Sequence, residues 1–148
     1  MFLFILFSYK KEKGREILKI ITQRQQEWAS LKYLVLSKSQ QDYRAIRKLF
    51  ADNKWDEEKE QVFRSYLQHA LTEPQKKGDL LNAYQHVWGY FKNKATETER
   101  QKYEELIETF SIEQDELRSF LKELTLKYQE PYLLQSKLLF STIGQITK

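Results

Sequence analysis

Apolar residues recur every three or four positions along most of the 148-residue chain, and no stretch alternates apolar and polar residues as a half-buried strand would. The pattern predicts helices. A first amphipathic stretch spans about Arg15 to Lys38, with Ile17, Ile21, Trp28, Leu31 and Val35 along its apolar stripe. Ser39 is placed to cap a second helix through about Asp52, which turns Tyr43, Ile46, Leu49 and Phe50 inward. Asp56 caps a third, carrying Val62, Phe63, Tyr66, Leu67 and Ala70. Pro74 and Gly78 punctuate the chain before a fourth helix at about 78–94. Thr96 with Glu99, and Ser111 with Gln114, have capping-box spacing and are expected to open a fifth and a sixth helix. Pro131 ends the sixth, a short helix runs from Tyr132 to about Phe140, and Gly144 suits its end. The expected fold is all-α, a compact bundle of six or seven helices. Residues 23–148 form a single helical domain, and residues 1–22 an extension with an apolar start and a basic sequel.

The fourth helix has two faces. At about 100° per residue, Leu80, Tyr84, Val87 and Phe91 share a core side that Leu81 and Trp88 extend. Asn82, His86, Gly89 and Asn93 fall opposite, with Gln85 and Tyr90 at the edges. A glycine inside a helix costs about 1 kcal/mol relative to alanine. Its place beside an amide and an imidazole suggests a surface that another backbone or a ligand approaches closely. Helix packing on that side, with His86 bonded to a carbonyl, is the plainer alternative.

Charge divides the chain unevenly. Residues 1–54 hold 12 Lys/Arg against 5 Asp/Glu, net +7, whereas residues 55–148 hold 13 against 16, net −3. A basic front half suits an anionic partner such as nucleic acid, although charged helix faces are ordinarily just solvated. Lys32, Lys38, Arg44, Arg47, Lys48 and Lys54 come from that half, while Lys76, Lys77, Lys92 and Lys94 flank the fourth helix. Arg44 and Lys48, four residues apart, share a helix face. Tyr43 and Tyr90 are aromatic candidates for base stacking, and Tyr43 fits a core position as well.

The chain has no cysteine, which excludes disulfides and thiolate chemistry and fits a cytoplasmic setting. The apolar start MFLFILF is far shorter than the roughly 20 residues of a membrane helix and lacks the basic lead and cleavage site of a signal peptide. It is expected to pack on the domain or on a second copy, unless the natural start lies downstream; no membrane association is expected. Two histidines, His69 and His86, without HExxH spacing do not make a zinc site. No GxSxG elbow, phosphate-binding loop or GxGxxG occurs, and carboxylate pairs such as Glu104 and Glu105 read as solvated. No catalytic residue, metal or cofactor is assigned. His86 with Tyr90, four residues on, is the only acid–base pair the pattern offers.

Three blocks, LKYLVLSKSQQDYRAI (31–46), NAYQHVWGYFK (82–92) and EPYLLQ (130–135), resemble the YbgA-like family, a bacterial domain of unknown function. Its most specific motif, N-x-x-x-H-x-x-G-Y-F, stands here as Asn82, His86, Gly89, Tyr90 and Phe91, and the likeness runs from about Gln23 to Phe140. The chain departs from the family where Leu31–Lys32 and Lys38–Ser39 replace two histidine-containing pairs, which weakens any multi-histidine site; the tail also lacks a proline-rich ending. The resemblance implies a domain often fused to a cysteine-rich desulfidase acting on thiolated uracil, in which the helical part recognises RNA. For this chain it implies an RNA-binding module, with tRNA the foremost target and a separate desulfidase a candidate partner. Lys38, Arg44, Lys48, Lys92 and Lys94 would contact phosphates, and Asn82, His86 and Tyr90 would line a recognition face around Gly89. The alternative is a structural or oligomerising domain, with a homodimer as its simplest assembly.

Overall fold

In a computed structural model, which describes residues 2–140 and, at the amino end, the side chains of residues 5, 6 and 8 onward, eight helices form an all-α bundle. The first, α1 (Phe2–Lys38), is 37 residues long and begins well before the expected Arg15. The KKEKGRE segment offers only Gly14 as a weak point, and Lys, Glu and Arg are good helix formers, so nothing stops the helix there. Residues 8–20 are all exposed, Ile17 included, which corrects its expected core position; burial begins at Ile21. From there α1 is the central strut, packing against α2 (Gln40–Leu49), α3 (Glu57–Thr72), α4 (Lys77–Trp88) and the last short helix. It runs unbroken through residues 22 and 23.

Local caps set the breaks. Ser39 is extended, and its hydroxyl accepts from the Asp42 amide to start α2. Asp56 does the same for α3 through the Lys59 amide. The second helix stops at Leu49, short of Asp52, and the chain reverses through Asn53 in the left-handed region (φ 54°). Helix α5 (Glu97–Glu108) opens on the capping box, with the Thr96 and Glu99 side chains each accepting from the other's amide. Ser111 accepts from the Gln114 amide, but this closes only a turn: α6 (Glu116–Tyr128) is capped by Asp115. The expected final helix is two short ones, α7 (Pro131–Leu134) and α8 (Lys137–Phe140), parted at Gln135 and Ser136; Gly144 lies outside the described residues.

The fourth helix is shorter than expected. It ends at Trp88, and residues 89–94 continue as tight turns closed by Phe91 N–H to Trp88 O (2.8 Å) and Lys94 N–H to Phe91 O (2.9 Å). Gly89 and Asn93 are poor helix formers, which weakens the helix here. Gly89 is therefore a C-cap, not an interior residue. Its φ of −53° is ordinary, so conformational freedom is not the reason for glycine. A Cβ at Gly89 would sit 3.1 Å from the carbonyl oxygen of His86, a tight contact with rigid backbone. The close approach is made by the chain's own turn rather than by a separate element.

The expected core face holds. Leu80, Tyr84, Val87 and Phe91 are at most 1% exposed and join Val35, Ile46, Phe63, Leu117, Leu121, Leu133 and Leu139 in one continuous core. Burying each such side chain is worth roughly 1.5–3 kcal/mol, which outweighs the weak helix propensity around Gly89.

Candidate functional site

The three blocks quoted above, far apart in sequence, meet at one face. Lys32 and Tyr33 come from α1, Tyr43 and Arg47 from α2, His86 from the last turn of α4, Tyr90 from the turn after it, and Tyr132 from α7. Tyr33 is nearly buried, and its hydroxyl shares a 3.0 Å hydrogen bond with that of Tyr90. The Tyr90 and Tyr132 rings stack at 5.9 Å and 11°, both half-buried. Tyr33 meets Tyr132 edge-on at 6.5 Å and lies 6.4 Å from the His86 imidazole. His86 itself is exposed, and Asn82, one turn earlier, is half-exposed.

Two cations border these rings. The Lys32 ammonium lies 5.7 Å from the Tyr33 centroid and 5.9 Å from that of Tyr132. The Arg47 guanidinium sits 5.8 Å from the Tyr43 centroid. Neither side chain forms an ion pair or hydrogen bond among the described residues. Burial, and then the nearby Arg47 charge, lower the Lys32 pKa. Burial also pushes the Tyr33, Tyr43 and Tyr132 phenols up, so they remain protonated and serve as hydrogen-bonding groups and flat apolar faces, not as bases. A half-buried lysine without a carboxylate, beside a second cation, leaves positive potential that an anion would neutralise.

Arg44, Arg47 and Lys48 are all exposed on α2, at spacings that make them surface neighbours. Arg44 and Lys48 line an open groove of about 690 Å³ between α2 and α3, together with Gln40, Gln41, Val62 and Tyr66. The basic stripe thus leads from the tyrosine face into this groove. Lys38 and Lys94 are occupied, whereas the Lys92 side chain is simply exposed. The Lys38 ammonium donates to the Leu71 and Glu73 carbonyls (3.4 and 3.1 Å), closing the end of α3, and burial lowers its pKa. Lys94 pairs with Glu130 at 3.3 Å and lies over the Phe91 and Tyr128 rings. Lys92 is exposed, and its carbonyl accepts from Arg100. Of the residues singled out in the sequence, His86 and Tyr90 belong to the cluster, Asn82 and Gly89 border it on α4, and Arg44 and Lys48 extend it.

The model of a protein family described as "Protein of unknown function (DUF1722)" matches residues 32–141, a span that opens on Lys32 and contains every member of the cluster. The chain belongs to the DUF1722 family. No curated protein and no solved structure matches it. The DUF1722 match leaves out the exposed part of α1. The tyrosine–lysine face of this DUF1722 chain is only partly legible in the sequence: Lys32 and Arg47 stand out there only as members of the basic front half, and no local spacing joins Tyr33 or Tyr132 to the motif around His86. Two signals point to Tyr132: its place in the EPYLLQ block, and Pro131, which opens α7 and brings Tyr132 against Tyr33.

Among the described residues no helix is long and apolar enough to cross a membrane, and no group of three His, Asp or Glu residues is placed to hold a metal ion.

Proposed function

We propose that this domain is a cytoplasmic RNA-binding module of YbgA-like type, acting on structured RNA such as tRNA and serving a separate desulfidase of thiolated nucleosides. The observation that carries the reading is the pair of cations, Lys32 and Arg47, held against tyrosine rings with no carboxylate to neutralise them. Phosphate-binding surfaces need uncompensated cations, and RNA-reading surfaces add aromatic faces and hydrogen-bonding side chains. Arg44 and Lys48 extend the positive track, and Asn82, His86 and Tyr90 supply the polar and aromatic part. The thiolated-nucleoside connection rests on the YbgA-like resemblance of the three converging blocks.

Filter binding of tRNA across a salt series tests it. Affinity falls steeply with salt, and replacing both Lys32 and Arg47 with methionine lowers the slope of log K against log salt by about 1.5, close to two phosphate contacts. No measurable complex at low salt overturns the reading.

One observation favours a second reading, a protein-interaction or oligomerising domain. The protruding part of α1 exposes Ile5, Leu6, Tyr9, Ile17, Leu18 and Ile20. All but Leu18 fall within about 120° of the helix circumference, an apolar side interrupted by Lys13 and Glu16 that the bundle leaves uncovered.

A further inference from the structure

Resting on the RNA reading, we infer that the Tyr33–Tyr90–Tyr132 face takes an unpaired nucleotide, so that the RNA it selects is single-stranded, bulged or looped at the point of contact. The inference comes from the mixture of groups at the site. A surface that tracks a continuous duplex needs cations and donors for its backbone. It has no use for flat ring faces, because each base in a duplex is covered above and below by its neighbours. Here both cations lie beside aromatic rings: Arg47 is 5.8 Å from the Tyr43 centroid, Lys32 lies 5.7 and 5.9 Å from those of Tyr33 and Tyr132, and the Tyr90–Tyr132 stack remains half-exposed. An unstacked base can lie on such a ring through its π-face whatever its identity.

The stack is held before any ligand arrives. The 3.0 Å hydroxyl contact to Tyr90 and the edge contact to Tyr132 tie both rings to Tyr33, which α1 anchors in the core. A platform ordered in advance loses little side-chain entropy on binding. Lys32 and Arg47 then supply charge for the flanking phosphates. Asn82 and His86, on the neighbouring helix, supply donors and acceptors for a base edge.

The test compares fluorescence anisotropy titrations of the full chain with a 12-nucleotide uridine-rich RNA and with the same strand in a blunt duplex, at one low salt concentration. The single strand binds at least tenfold more tightly. Tyr132→Phe keeps this preference, since the ring is retained, whereas Tyr132→Leu weakens single-strand binding by roughly five- to hundredfold, the range for one stacked base, and leaves duplex binding unchanged. Urea midpoints matching those of the unsubstituted chain show that both variants fold. Equal affinity for the two RNAs overturns the inference and leaves the RNA reading standing. A preference for single strands that Tyr132→Leu does not diminish also overturns it. Binding of neither RNA overturns both.

Discussion

His69 is exposed, yet its Nδ1 lies 2.6 Å from Oδ2 of Asp42, whose side chain is only 6% exposed. Its other nitrogen is 3.4 Å from Glu73. The bond to Asp42 raises the imidazole pKa above its ordinary 6.5; the charges of Asp42 and Glu73 act in the same direction, and Lys76 opposes them. The native state therefore binds the proton more tightly than the unfolded chain. The resulting stability is fully present below about pH 6.5 and is lost as pH rises through the raised native value. His69→Gln keeps a donor but cannot titrate. Urea midpoints between pH 6 and pH 8.5 should fall more for the unsubstituted chain than for His69→Gln. Parallel midpoints across that range would show that the pair contributes nothing that depends on protonation. Single residues of the candidate site were legible to different degrees. His86 and Tyr90 could be placed off the core face from helical spacing alone. The isolation of Lys32 from carboxylates could not, because it depends on what α2 and α7 bring next to α1.

At the scale of elements, the caps were the most readable feature because each is decided within four residues. Ser39, Asp56 and the Thr96–Glu99 box all act where their spacing placed them. The lengths of α1 and α4 were less readable. A charged stretch neither forbids nor requires a helix, and the end of α4 reflects competition between weak local propensity and the burial of Phe91. Glu99 shows how a cap grows into a tertiary joint. Besides accepting from the Thr96 amide at 2.9 Å, it accepts from the Lys127 ammonium at 2.8 Å and the Tyr128 hydroxyl at 2.6 Å, so it fastens the start of α5 to the end of α6. Burial alone would raise its pKa, but the bonds from Lys127, Tyr128 and the Thr96 amide prevail and hold it at about 2. Thr96→Ala should therefore cost about 1 kcal/mol, the usual value of a lost N-cap. Glu99→Ala should cost more, because it removes the same box and the link to α6. Urea denaturation of the two variants checks the order, and a larger loss for Thr96→Ala would mean that the α5–α6 link carries no weight.

For the molecule as a whole, the question is whether the protruding half of α1 belongs to the fold or to its associations. The core begins at Ile21, and the family match at residue 32, so the bundle's packing makes no use of residues 8–20. A solitary helix of that length is marginal in water, since isolated helices shorter than about 12–15 residues barely hold together even with favourable composition. Its apolar stripe is also costly to leave wet. Deleting residues 2–20 should accordingly leave the cooperative unfolding of the bundle within about 0.5 kcal/mol, as for other surface changes. The same deletion separates the two readings of function. Under the interaction reading, light scattering gives a dimer or larger for the full chain and a monomer for the shortened one. Under the RNA reading the oligomeric state is the same for both, and tRNA affinity declines only modestly, because Lys32, Arg47 and the tyrosine face remain while deleting residues 2–20 removes five basic and two acidic side chains. Loss of cooperative unfolding in the shortened chain would contradict both expectations at once, since it would mean that the bundle needs a segment whose residues 8–20 are all exposed.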